Sequence, residues 1–216
     1  MGTIGVSTVN KVTGACFVWS LLTVAFPGSG SERSTRPQVI ISVYNDAQAS
    51  AQLLTQAEQE ATKIFRKIGV DSVWIECQSP EAGPKPECGP PSGPTHLSLR
   101  IVPWSSKSGD AVFGMAFLSP EGEGTYCDVF YDSVEKLRRD WRVSRSRVLG
   151  HTMAHEIGHL LLGTNAHSSK GLMRSNWQGQ ELWRIERGTL LFTPEQARSM
   201  QNKLVSSTER KPIPQI

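Results

Sequence analysis

The sequence predicts a single α+β domain with five strands, a helix carrying the chemistry near its centre and a C-terminal helix. Three observations predict it. Short runs rich in β-branched and aromatic residues recur five times between turn residues. Two longer segments carry apolar residues at three- and four-residue spacing, the helical period. The order is β-α-β-β-β-β-α-loop-α, with helices segregated around the strands and no internal repeat or interdomain linker. The chain has 216 residues, which suits one domain with appendages and buries a core without covalent staples. Its 38% apolar and 20% charged residues describe a globular chain, not a disordered one.

Residues 1–30 read as a secretory signal peptide. Met1 to Ala15 carries one charge, Lys11, and Cys16 to Phe26 is an uncharged apolar run. Pro27-Gly-Ser-Gly30 then supplies the small, turn-forming end of such a signal. The apolar run is too short to span a bilayer, and neither a lipid-attachment cysteine nor a second apolar run follows it. The expectation is a secreted or periplasmic protein with no membrane anchor once the signal is removed, 31–216 forming its working domain as a monomer.

Ser31 to Pro37 is polar, and the stretch before the first strand is too short for a folded pro-domain. Val39 to Tyr44 is a first strand, broken by Asn45-Asp46. Ala47 to Ile68 is helical in composition; Leu53, Leu54, Ala57, Ala61, Ile64 and Phe65 make one apolar face, and Gly69 ends it. Val73 to Cys77, His96 to Val102, Gly114 to Leu118 and Cys127 to Tyr131 read as four further strands. Val143 to Leu162 is the next helix, and Gly163 onward is loop. Thr193-Pro194-Glu195-Gln196 opens the last helix, with Thr as N-cap, Pro at the first helical position and Gln three beyond the cap.

The cysteines fit the same compartment. Cys16 leaves with the signal, and Cys77 and Cys88 close a Pro/Gly-rich loop that in an exported protein reads as one disulfide. Cys127 is then a buried free thiol. The net charge of +3 is small and spread along the chain. Its one local excess, Lys136 to Arg147, lacks any RNA or DNA motif and reads as a solvated helix face, so no nucleic-acid partner is expected.

The chemistry sits in His155-Glu156-Ile157-Gly158-His159. Histidines four apart on a helix place both imidazoles on one face, one turn apart, where they can share a metal. Leu149, Met153, Ile157 and Leu160 occupy the opposite side as the core face, so the histidines face a cleft. In this motif Glu156, beside a ligand, polarises the attacking water and shuttles its proton. Gly163 interrupts the helix as a C-cap signal, His167 follows four residues later, and Gly171-Leu172-Met173 offers a turn ending in methionine.

With these residues the sequence resembles the metzincin metalloproteases, whose pattern is HExxHxxGxxH followed by a methionine-bearing turn beneath the zinc. Here Gly163 lies one residue late and His167 one more again, so the loop is two residues longer than the family's usual one. The resemblance reaches upstream: Gly114 to Pro120 and Val129 to Asp132 look like the edge strand and following strand of matrix-metalloprotease-like domains. It implies a five-stranded mixed sheet around a central HExxH helix, in a divergent bacterial-type exported subgroup. It also implies one zinc ion held by His155, His159 and His167, with Glu156 as general base and Met173 as the turn methionine. Activity would be that of an endopeptidase on peptide or protein substrates lying along Gly114 to Leu118 as an added strand.

Alternatives remain beside this reading. Asn165 holds the sixth position after His159, but an amide is a poor zinc ligand; Glu181 is the carboxylate alternative to His167. His151, one turn before His155, reads as a cleft-wall or supporting residue, because a straight helix cannot converge three side chains over two turns. His96 opens a strand without a motif and reads as structural or exposed. Trp177 and Trp183 either wall a specificity pocket or anchor the core. Pro86-Glu-Cys88 faintly resembles a latency segment, but Cys88 fits a disulfide better. A non-catalytic zinc-stabilised exported binding module has no use for Glu156. A zinc amide hydrolase of another class, pairing HExxH with an upstream thiolate, would have only Cys127 as that ligand.

Overall fold

Five runs rich in Val, Ile and Leu align as one mixed sheet in the computed structural model, which describes residues 36–77, 88–91, 93–104 and 112–209. The strands are β1 (Gln38–Asn45), β2 (Asp71–Glu76), β3 (His96–Val102), β4 (Gly114–Phe117) and β5 (Tyr126–Phe130). Their spatial order is β2-β1-β3-β5-β4. β1 runs parallel to β2 and β3, and β3 parallel to β5; β4 alone is antiparallel and stands at the edge. Parallel neighbours need a crossover, and α1 (Ala51–Lys67) supplies it between β1 and β2. β3 is buried at every position but Arg100, the near-continuous burial of an interior parallel strand.

α1 forms as its periodicity predicts. Ser50 caps it, its side chain accepting the Leu53 N–H at 3.3 Å, and Gly69 ends it with φ of 70°. The predicted face from Leu53 to Phe65 is the buried one. It packs on α3 (Arg145–Leu162), the helix of the HExxH segment. The two helices approach so closely that a Cβ at Gly150 would lie 2.5 Å from the Ala57 carbonyl oxygen. α3 is buried from Val148 to Leu161, so the side that bears the histidines lines a cleft as expected but is itself largely enclosed. A helix threaded between the sheet, α1 and the C-terminal segments has little solvated face to keep polar.

Two helices stand outside the predicted order of elements. α2 (Tyr131–Trp141) begins directly at the end of β5, so Tyr131 belongs to a helix and not to a strand. Arg142, left-handed with φ of 53°, stops α2 before α3 starts. α4 (Gly179–Glu186) occupies part of the stretch read as loop. α5 (Pro194–Glu209) starts as predicted: the Gln196 N–H donates to Thr193 Oγ1 at 3.3 Å, and the Thr193 N–H donates to Gln196 Oε1 at 2.9 Å. In the basic run, Arg138 and Arg145 pair with Glu135 at 3.4 and 2.6 Å, as a charged helix surface does.

Cys77 and Cys88 form the expected disulfide, Cα atoms 5.3 Å apart, and Cys127 is buried and free. His96 is structural: its Nε2 meets Ser42 Oγ at 2.7 Å in the core. The expected export signal, 1–30, lies outside the described residues. Among the described residues no helix is long and apolar enough to cross a membrane.

Candidate metal centre

α3 presents His155 and His159 on one side, with Nε2 atoms 3.1 Å apart. Gly163, left-handed with φ of 69°, caps the helix: its N–H, like that of Thr164, turns back onto the His159 carbonyl. The reversed chain carries His167 to the same point, its ring centroid 5.3 Å from that of His155 and 4.9 Å from that of His159. One nitrogen from each of the three lies within 4.8 Å of the others. The longer loop is absorbed because α3 continues to Leu162 before turning.

The outer nitrogens are already engaged. His155 Nδ1–H donates to the Leu172 carbonyl and His159 Nδ1–H to the Thr164 carbonyl, each at 2.8 Å. A carbonyl only accepts, so both Nδ1 atoms carry protons and both Nε2 atoms expose lone pairs. Burial holds the rings neutral: it pushes the His155 pKa down to about 3, helped by neighbouring His159, and lowers those of His159 and His167. Two lone pairs facing across 3.1 Å repel unless a cation lies between them. Three neutral imidazoles, two of them with carbonyl-fixed tautomers, are a donor set that fits zinc. Three protein ligands also leave a fourth position open, as catalytic sites require.

Met173 is fully buried under the site, and the turn that holds it is tightly closed. The Ser168 N–H donates to the Met173 carbonyl at 2.9 Å, and Gly171 takes φ of 76°. Gly158 makes room for it, since a Cβ there would lie 2.7 Å from the Met173 sulfur. The Leu172 carbonyl also accepts Trp177 Nε1–H at 3.3 Å, so one peptide group orients both a histidine and a tryptophan.

A cleft of about 460 Å³ opens over the histidines. Glu156 lies in it, 4% exposed, and desolvation raises its pKa to about 8. Gly114 of β4 stands directly opposite: a Cβ there would be 2.5 Å from Glu156 Cγ. Trp177 walls the cleft, stacked on Phe113 at 6.0 Å. Trp183 does not; it is 56% exposed, with Arg187 over its ring.

The structure brings together His155, Glu156, His159 and His167, and leaves the other predicted alternatives apart. Asn165 lines the cleft as an exposed residue, and its amide is a poor zinc ligand beside three imidazoles. Glu181 accepts from Arg174 Nη1 at 2.6 Å and caps α4 through the Gln178 N–H. Cys127 is buried in β5 outside the cluster. His151 is a correction: it is not among the residues that line this cleft, and it is fully buried with its Nδ1–H on the Arg147 carbonyl. Sequence reasoning missed Gly114 as a contact of Glu156 and Leu172 as the carbonyl behind His155. Neither carries a local signal.

No protein-family model matches the chain, and no curated protein matches it in sequence. Among solved structures it is similar to a zinc-dependent peptidase from Methanocorpusculum labreanum, at 14% identity and TM-score 0.49, over 74% of this chain and 99% of that one. It is similar to metalloproteinase-II from Bacteroides fragilis at 13% identity and TM-score 0.49, over 80% of this chain and 55% of that one. It is also similar to archaemetzincin from Methanopyrus kandleri at 15% identity and TM-score 0.47, over 81% and 99%. At such distances the functional reading rests on the residues of the site.

Proposed function

We propose that the chain is an exported zinc-dependent endopeptidase of metzincin type. The observation that carries this reading is the convergence of His155, His159 and His167 beside the buried carboxylate of Glu156 in an open cleft. The three imidazoles would hold one zinc ion. Bound there, zinc supplies a Lewis acid that polarises a carbonyl and makes water acidic enough to ionise near neutrality.

The chain's own groups do the rest. The Leu172 and Thr164 carbonyls hold His155 and His159 in the tautomer and orientation a metal needs. A cation bound beside Glu156 would favour its ionised form against the burial that raises its pKa, and in that form Glu156 takes the proton of the attacking water on a carboxylate oxygen and returns it to the leaving amine. β4, the edge strand, borders the cleft through Gly114 and Ala116, where an extended peptide can lie along the sheet. The Phe113–Trp177 stack offers an apolar wall to one of its side chains. Export is supported by the Cys77–Cys88 disulfide, which persists in oxidising compartments, and by the apolar run at 16–26.

The test is Glu156→Gln, assayed on a peptide blocked at both ends so that only internal cleavage is read. The variant should keep its zinc and lose on the order of 100-fold or more in kcat/KM. A variant that cleaves at the wild-type rate removes the assignment.

A further inference from the structure

Met173 and Arg174 are neighbours in the chain and do opposite things. Met173 is sealed under the site, whereas Arg174 lines the cleft. The segment that carries both is pinned to the metal face, because the Leu172 carbonyl accepts His155 Nδ1–H at 2.8 Å. Arg174 stands two residues further on, so its Cα lies within about 7 Å of that carbonyl. Among the described residues that line the cleft, Arg174 is the only Lys or Arg, and Glu156 is the only carboxylate.

The Arg174 guanidinium is held at one edge and open at the other. Nη1–H donates to Glu181 Oε1 at 2.6 Å. Glu181 is buried, and its second oxygen accepts the Gln178 N–H at 3.2 Å, so this carboxylate is fixed to the start of α4. A guanidinium carries five N–H donors, and Glu181 uses one of them. Among the described residues Nε and Nη2 have no partner, neither is sealed from solvent, and the side chain is 41% exposed. The ion pair cancels most of the net charge, so what Arg174 offers the cleft is direction. A flat fork of N–H groups matches a carboxylate, which can accept two of them at once. An amide of the same shape has one accepting oxygen and turns a donor toward the fork.

We propose that Arg174 determines specificity in this cleft, and that the protein takes peptides with a carboxylate close to the scissile bond, received by the free N–H groups of Arg174. The inference rests on the peptidase reading above and names its substrate class. An extended peptide advances ~3.3 Å per residue, so a guanidinium this near the histidines meets a group within a few positions of the bond that is cut. An Asp or Glu side chain supplies the carboxylate, or the C-terminus of the substrate does; the chemistry received is the same. A Lys or Arg at that place brings like charge and no acceptor. A purely structural Arg174–Glu181 pair would steady α4 and leave the choice of peptide untouched, which separates the two roles.

The test uses the full, zinc-loaded chain and peptides blocked at both ends. A single Glu is moved through successive positions of a neutral sequence, beside the same set with Gln. The best Glu peptide should exceed its Gln twin in kcat/KM by at least about tenfold, the contribution of a charge-assisted hydrogen bond. Arg174→Gln should bring that ratio close to one, and Arg174→Lys, which keeps the charge without the fork, should restore part of it. The ratio is taken within each variant, so a general loss of activity cancels, and the wild-type comparison needs no variant at all. A neutral peptide with a free C-terminus, set beside its amide, tells the two sources apart. Equal rates on both pairs in the wild type, or a preference unchanged in Arg174→Gln, overturns the proposal and leaves the peptidase reading standing. The reverse failure is read from binding of the same peptides to zinc-loaded Glu156→Gln, followed by tryptophan fluorescence, since Trp177 lines the cleft. A Glu-over-Gln preference there that Arg174→Gln removes sustains the carboxylate site even where the wild type cuts nothing. No preference in binding and no cleavage overturns both.

Discussion

His151 and His155 stand one turn apart on the same helix and are alike in almost every local respect. Both are buried, and each donates Nδ1–H to a backbone carbonyl at 2.8 Å, which leaves Nε2 as the free acceptor. They differ in what faces that acceptor. His155 Nε2 meets His159 and the returning His167, and the three make a metal-sized cluster. His151 Nε2 is buried without a hydrogen-bond partner among the described residues. A histidine's function in this molecule is decided across the helix, by what the rest of the chain delivers to its second nitrogen.

The largest expected effect comes from breaking the cluster that sets the two apart. His167→Ala should weaken zinc binding by on the order of 100-fold or more and abolish activity, since it removes a ligand outright. Glu181→Ala, which removes only a cap and a partly exposed ion pair with Arg174, should leave both nearly unchanged. Equilibrium dialysis against a competing chelator reads the difference. If Glu181→Ala loses the metal and His167→Ala keeps it, the third ligand is misassigned.

Next comes a change that spares the ligands. Gly114→Ala places a methyl group against Glu156 and must displace the carboxylate or bend β4. Misplacement by about 1 Å costs on the order of 100-fold in rate, so kcat/KM should fall by about that much while zinc content stays at one per chain. An active variant would show that Glu156 tolerates movement.

The pH dependence of folding sharpens the contrast at His151 itself, which faces Glu60 and Arg147. Its pKa is about 4 in the folded chain against 6.5 for a free histidine. The unfolded chain therefore binds more protons between these values, and stability must fall as pH drops from 6.5 toward 4. The part of that loss due to His151 should approach ~3 kcal/mol at most, and His151→Gln should reduce the slope by that part while the contribution of His155, His159 and His167 remains; urea unfolding of zinc-loaded wild type and variant side by side across that window measures the difference.

The smallest effect has the opposite sign. Glu58 on α1 has one carboxylate oxygen buried without a partner, and burial together with nearby Glu76 raises its pKa from 4.5 to about 7. Here the folded chain holds the extra proton, so this contribution is complete below pH 4.5 and is lost as pH rises through 7. Solvent screening of a half-buried group limits it to about 1 kcal/mol. Glu58→Gln should raise the urea midpoint at pH 8 and leave it unchanged at pH 4. A variant less stable at pH 8 would contradict the sign.

Much of the architecture was legible because its signals are local. The apolar face of α1, the boundaries of β3, the cap at Thr193 and the cysteine-closed loop depend on residues within a few positions of one another. α2 was not legible as a helix starting at Tyr131: it follows β5 without a turn residue, and its N-cap, Phe130, makes no side-chain cap bond. α4 was missed because it is 8 residues long and is capped by Gln178, which is not a preferred cap residue. The pairing of His155 with His159 follows from helix geometry alone, and Gly163 signals the reversal that returns His167.

By itself the sequence determined a five-stranded α+β chain with a helix bearing two imidazoles on one face and a third close enough to join them. Backbone period, reach and cap chemistry act over a few residues, so they can be read along the chain. Only the tertiary structure decided that α3 is largely enclosed even along the cleft, that Gly114 stands against Glu156, and that the Leu172 carbonyl orients both His155 and Trp177. It alone separated His151 from the metal face. These outcomes depend on contacts between segments far apart in the chain, where close packing and the need to satisfy buried polar atoms decide what each side chain meets.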